Sequence, residues 1–182
     1  MLNTQDSIVL VIDIQEKLTK MLKEDVSAQV VEKSSKLVQA AKTLGIDVVL
    51  TEQYPKGLGQ TVDEIKNVLA QDYNPYEKTA FSVLYEQPIA DKIKHSHKKQ
   101  VVICGIESHI CVLQSALALI NEGYEVFVVQ DTCASRSKYE FKCAMEYLKQ
   151  AGVRVLSLEM ALFAWLKGAK HPNFKEVQAL IK

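Results

Sequence analysis

Apolar residues along the chain gather in short, nearly unbroken runs. Ser7 to Ile14 reads SIVLVIDI, a run of strand length without the alternation of a half-exposed strand, as expected for a strand buried on both faces. Asp47 to Thr51 (DVVLT), Gln100 to Cys104 (QVVIC) and Glu125 to Val129 (EVFVV) share this character, and Arg154 to Leu158 (RVLSL) is a further candidate. Between them the spacing becomes helical. Val30 to Leu44 places apolar residues at 30, 31, 37, 38, 40, 41 and 44, and Cys111 to Asn121 and Lys138 to Ala151 also predict helices. Gly45, Gly123 and Gly152 each follow a predicted helix and precede a strand, the position of a left-handed helix stop. Strands alternating with helices predict an α/β fold: a three-layer α/β/α sandwich around a central, mostly parallel, Rossmann-like sheet of about six strands. The chain shows no repeat, linker or low-complexity segment, so residues 1–182 are expected to form a single domain.

Two stretches do not fit this rhythm. Glu52 to Gly59 (EQYPKGLG) is rich in Pro and Gly and reads as a loop at the carboxyl edge of the sheet, whereas Asn74 to Leu84 (NPYEKTAFSVL) has no clear period. Ligand crevices of open parallel sheets lie outside the carboxyl ends of the strands, so polar residues there are the first candidates for function.

Composition narrows the partners. Twenty-two basic and 22 acidic side chains leave a formal net charge of zero, which gives no electrostatic reason to expect nucleic acid or an anionic membrane, and points instead to a small-molecule substrate. No apolar run approaches the roughly 20 residues that span a bilayer, and the start of the chain lacks the layout of a secretory signal. Cys104, Cys111, Cys133 and Cys143 form no CxxC pair, which argues against a disulfide scaffold or zinc ribbon and fits a reducing, cytoplasmic setting.

Asp13 closes an otherwise apolar strand. A carboxylate there needs a partner, solvent or a proton, and it reads either as a general base in the crevice or as a turn-capping residue. Cys111 follows the turn Gly105 to Ile110 and falls on the first turn of a predicted helix. Free backbone N–H groups and the helix dipole favour a thiolate at that place and could hold an oxyanion, although most cysteines are packing residues. Cys104 and Cys143 read as packing residues, Cys133 as a minor alternative nucleophile and His109 as an alternative base. Lys78, taken alone, reads as a solvated loop lysine.

Taken together these residues resemble the isochorismatase-like cysteine hydrolase superfamily, from Ile8 to about Leu166. Asp13 in VLVIDIQ, Lys78 in EKTAFS and Cys111 in GIESHICV stand in the family's order, with DTCASR after the next strand. The resemblance implies Asp13 as base, Lys78 as the cation orienting it, and Cys111 as nucleophile. It also implies a cis peptide between Ile106 and Glu107 and an oxyanion hole from the N–H groups of Ile110 and Cys111. Thioester chemistry on an amide-like C–N bond follows, without a cofactor. Members that cleave the vinyl ether of isochorismate lack this cysteine, and related nicotinamidases carry an Asp-x-His metal motif where this chain reads Thr51-Glu52-Gln53-Tyr54-Pro55, so no metal is expected. The TEQYPKGLG segment is closest to the isochorismatase domain-containing branch.

Gln15, Tyr54, Phe81 and Glu107 flank the three central residues in sequence and are the candidate substrate-binding residues. The resemblance further implies a homo-oligomer, with Met160 to Leu166 (MALFAWL) as an interface or as core. A non-catalytic member that binds a metabolite or acts as a scaffold is the alternative function. A receiver-type or phosphate-binding protein is disfavoured, because the chain has neither a P-loop nor a GxGxxG.

Overall fold

The computed structural model describes residues 1–182. Six parallel strands form one sheet: β1 (Ser7–Ile12), β2 (Asp47–Gln53), β3 (Tyr76–Lys78), β4 (Gln100–Ile106), β5 (Glu125–Ala134) and β6 (Arg154–Leu156), in the order β3-β2-β1-β4-β5-β6. The helices are α1 (Glu16–Lys20), α2 (Glu24–Thr43), α3 (Pro55–Leu58), α4 (Asp63–Leu69), α5 (Gln87–His95), α6 (Leu113–Asn121), α7 (Lys138–Gln150), α8 (Leu158–Leu166) and α9 (Phe174–Ala179). The three-layer parallel α/β architecture expected from the sequence is the one observed.

The apolar runs explain it. Every residue of β1 is buried, because alternate side chains serve two different cores. Val9 and Val11 face Leu37, Val38 and Ile65 of α2 and α4, with Trp165 of α8, on one side of the sheet. Ile8, Leu10 and Ile12 face Ile89, Ala116, Leu119 and Leu148 of α5, α6 and α7 on the other. Gly45, Gly123 and Gly152 all take positive φ at helix ends, as their positions predicted.

Several boundaries differ from expectation. The first strand stops at Ile12, two residues early, because Asp13 turns into the left-handed region at φ 53°. The helix expected from Val30 begins at Glu24, where a polar first turn hides the apolar period. The chain read as a loop from Glu52 continues β2 through Gln53 and then forms the short α3. DTCA extends β5 beyond Val129, past an irregularity in its pairing with β4, while the last strand ends at Leu156. The unplaced stretch after Asn74 supplies the edge strand β3.

Strand order reverses between β1 and β4, since the chain builds outward from β1 to β3 on one side and from β4 to β6 on the other. Such a switch point opens a crevice at the carboxyl ends of the two central strands. The strands approach closely there. Gly105, at φ 142°, pairs with Ile12, and a side chain at that position would lie 2.1 Å from the Ile12 carbonyl oxygen.

Candidate active site

Asp13 leaves the end of β1 at this crevice and is fully buried. Its Oδ1 accepts a 2.7 Å hydrogen bond from Thr51 Oγ1 on β2. Its Oδ2 lies 2.7 Å from Lys78 Nζ, and neither side chain of this ion pair has any solvent exposure. Lys78 is therefore not the solvated loop residue that its local sequence suggested. It sits on β3, beyond β2, and its long side chain reaches back past Gln53 to the central strand.

Cys111 approaches the pair from the other side of the switch. β4 ends at Ile106, the Ile106–Glu107 peptide is cis, and Ser108–Val112 form one wide π-helical turn before α6 starts at Leu113. Cys111 thus lies within this wide turn, not on the first turn of the α-helix, and is 6% exposed. Its thiol is close enough to Asp13 and Lys78 for both to act on its ionisation. The three residues come from β1, β3 and the turn after β4.

The electrostatics differ from the thiolate expected of a helix terminus. Burial, and then the negative charge of Asp13, push the Cys111 thiol up to about 12, with Lys78 opposing. Burial also holds the Asp13 carboxyl above its ordinary 3.8, against the charge and hydrogen bond of Lys78 and the hydrogen bonds of Thr51 and Cys111. The resting nucleophile is a neutral thiol beside a carboxylate of increased basicity, and it needs that base to lose its proton. At Cys111 burial outweighs the pull of the helix dipole.

The other candidate residues divide. Gln15 is buried, and its side-chain amide is committed to the backbone: Oε1 accepts from Gln53 N at 2.7 Å, and Nε2 donates to the carbonyls of Gln53 and Gly59 at 3.0 and 2.6 Å. Glu107 accepts from Arg136 N at 2.9 Å and lies 3.6 Å from the Arg136 guanidinium, so it ties the turn to the end of β5. Gln15 thus has both amide hydrogens committed and no solvent exposure. Tyr54 and Phe81 are 56% and 50% exposed, and their backbones border Lys78: Tyr54 N donates to the Lys78 carbonyl, and the Phe81 carbonyl accepts from Lys78 Nζ at 3.4 Å. The Ile110 N–H donates to the Glu107 carbonyl at 3.1 Å. His109 Nδ1 lies 3.0 Å from Ser135 Oγ.

Two residues at the site were passed over in the sequence, Thr51 and Gln53. Their only sequence signal is their place two apart at the carboxyl end of β2. Of the remaining cysteines, Cys104 and Cys133 are buried with thiols pushed up by burial, Cys133 to about 12, and neither has a basic partner. No three His, Cys, Asp or Glu side chains come together in a way that could hold a metal ion.

This topology and constellation can be set beside known proteins. The sequence model of the isochorismatase domain matches residues 7–160. The chain belongs to the isochorismatase family. Among family relatives it is similar to isochorismatase domain-containing protein 2 of Xenopus laevis, 38% identical over 99% of this chain and 85% of the relative. It is 36% identical to the secreted isochorismatase effector Isc1 of Phytophthora sojae, over 97% of this chain and 84% of that one. Among solved structures, the MAR1 ribonuclease of Caenorhabditis elegans superposes with a TM-score of 0.92 at 38% identity, covering 99% of this chain and 91% of that one. The fold is shared with the YcaC gene product of Escherichia coli, described as an octameric hydrolase of unknown specificity (TM-score 0.86, 22% identity, 98% and 94% coverage). Membership in the isochorismatase family supports hydrolase activity in general. No helix of the chain is long and apolar enough to cross a membrane.

Proposed function

We propose that this isochorismatase-family protein is a cysteine-dependent hydrolase of an amide-like C–N bond in a small molecule. The observation that carries this reading is a thiol set against a buried carboxylate–ammonium pair at the switch point of the sheet. A buried ion pair on its own is weak evidence for stability, but a pair facing a nucleophile can move its proton.

The steps follow from the geometry. Asp13 takes the Cys111 proton as Sγ attacks the substrate carbonyl carbon, so the thiol never has to ionise freely against a value of about 12. Lys78 keeps the carboxylate oriented and charged until it accepts the proton. The oxyanion falls to the Cys111 N–H, with the Ile110 N–H sharing its existing bond to Glu107. As the tetrahedral intermediate collapses, Asp13 passes its proton to the leaving nitrogen, and an amine and a thioester result. Asp13 then deprotonates a water molecule that attacks the thioester, releasing the acid and restoring the thiol. No cofactor takes part. The exposed Tyr54 and Phe81 supply an apolar rim against which a small substrate would lie.

A second reading comes from the nematode relative, which is named a ribonuclease. Zero net charge and a nucleophile that is 6% exposed favour a small molecule over an RNA backbone. A homo-oligomer is part of the proposal, supported by the octameric YcaC relative and by Met160 and Phe163, which stay exposed on α8 while Leu162, Trp165 and Leu166 enter the core. Four unpaired cysteines support a reducing, cytoplasmic compartment, against which stands the secreted Phytophthora relative.

The test is a screen of amides, carbamoyl compounds and ureides for ammonia release, run with the wild type and with Cys111→Ala, alongside incubation with RNA. Turnover of a small amide that vanishes in Cys111→Ala is the expected result. Unchanged turnover in Cys111→Ala sinks the cysteine mechanism, and RNA cleavage that depends on Cys111 replaces the small-molecule substrate.

A further inference from the structure

The side chains that hold the ion pair in shape come from one strand. Thr51 and Gln53 alternate with Glu52 along β2, so both point toward Asp13 and Lys78, while Glu52 points away to Thr61 and Tyr73. Gln53 is fixed at both ends. Its backbone N–H donates to Gln15 Oε1 at 2.7 Å, and its Nε2 donates to the Thr79 carbonyl at 2.8 Å. With the amide nitrogen committed to a carbonyl, Oε1 faces Lys78 and accepts from Nζ at 2.6 Å.

An ammonium group carries three hydrogens. Gln53 Oε1 takes one at 2.6 Å, and the carbonyls of Ala80 and Phe81 accept at 3.2 and 3.4 Å. Asp13 Oδ2 lies 2.7 Å from the same Nζ, so four oxygens share three hydrogens. Lys78 therefore divides itself between its two short contacts, Asp13 and Gln53.

We infer that Gln53 is a positioning residue for the proton acceptor: by taking the shortest of the Lys78 hydrogen bonds, it limits how far the ammonium bonds Asp13 Oδ2 and so sets the basicity of the carboxylate that receives the proton of Cys111. This rests on the cysteine chemistry proposed above. Remove the acceptor at position 53 and Lys78 bonds Oδ2 more fully, which makes the carboxylate a weaker base. Place a carboxylate at position 53 and the ammonium is shared with a second anion, whose negative charge makes Asp13 hold its proton to higher pH. The two changes move the same ionisation in opposite directions.

Alkylation of the full chain by iodoacetamide reads this without a substrate. Cys111 Sγ forms a bond to the reagent's methylene carbon as the C–I bond breaks, iodide leaves with its electron pair, and the thiol proton passes to Asp13. The rate at Cys111 is followed by peptide mass spectrometry from pH 5 to 9 in the wild type, Gln53→Met and Gln53→Glu, with Cys143, an exposed thiol, as internal standard. The expected result is a rate roughly ten-fold lower in Gln53→Met, with its acid limb moved to lower pH, and an acid limb moved to higher pH in Gln53→Glu. Acid limbs that stay at the wild-type position in both variants, whatever happens to the rate, overturn the role of Gln53 alone. A wild-type Cys111 that reacts more slowly than Cys143 overturns the nucleophile itself, and the inference with it.

Discussion

Two buried carboxylates stand at the carboxyl ends of neighbouring strands, Asp13 after β1 and Glu52 in β2, and they do different work. Glu52 Oε1 receives three neutral donors: the N–H and Oγ1 of Thr61 at 2.7 and 2.8 Å, and the hydroxyl of Tyr73 at 2.7 Å. Those bonds pin the segments on either side of α4 to the sheet, and no thiol or ammonium is among its partners. Asp13 instead has one neutral donor, Thr51, with the Lys78 ammonium on its other oxygen and the Cys111 thiol beside it. A carboxylate held only by neutral structural donors ties segments together, whereas one between an ammonium and a thiol can take up a proton.

The largest expected effect comes from removing that proton acceptor. Asp13→Asn removes the base and leaves the Lys78 ammonium buried without its counter-charge. Hydrolysis and Cys111 alkylation are expected to fall on the order of 10²–10⁴-fold. Stability is expected to fall by about 3–5 kcal/mol, measured by urea unfolding. Lys78→Met should be milder in rate. It removes the charge that favours the Asp13 carboxylate, so the acid limb of the rate is expected to move to higher pH, and a limb at the wild-type position contradicts the pairing.

The wild-type pH profile comes next. Protonated Asp13 cannot accept the thiol proton, so activity rises with pH through a limb that lies above the ordinary carboxyl value of 3.8. A carboxyl raised in the folded state holds its proton more tightly there than in the unfolded chain. Its contribution to stability is therefore present at low pH and lost as pH rises through the folded value. Loss of activity on acidification through that limb is then loss of the base and not unfolding: Tm should not fall over the pH range in which the rate declines. The smallest effect belongs to the other carboxylate. Glu52→Gln keeps one acceptor oxygen and should cost about 1 kcal/mol in thermal or urea unfolding while leaving Cys111 alkylation unchanged. A slowed Cys111 in that variant would erase the distinction between the two residues.

Much of this was legible in the sequence because the strands are buried on both faces and announce themselves as apolar runs. The rhythm of SIVLVI, DVVLT and QVVIC with intervening helices leads to the parallel sheet, and the switch-point rule leads to its carboxyl edge. Asp13 and Cys111 were visible because each interrupts or follows such a run. β3 was not, since YEK is three residues long, lies at the sheet edge and carries two charges. Lys78 looks solvated until the strand order brings it two strands from Asp13. Gln53 and Thr51 carry no signal of their own, because their role depends on which face of β2 meets a lysine 25 residues further along. Gln15 misled for the converse reason: closeness in sequence to the site says nothing of which backbone groups its side chain already holds.

The central claim is that Cys111 forms a covalent acyl intermediate. With an amide found by the ammonia screen, the reaction is quenched in acid during turnover and the intact protein is weighed and mapped. The account predicts an added mass equal to the acyl group, located on Cys111 and absent from Cys111→Ser. Steady turnover with no adduct, and equal activity in Cys111→Ser, would contradict it.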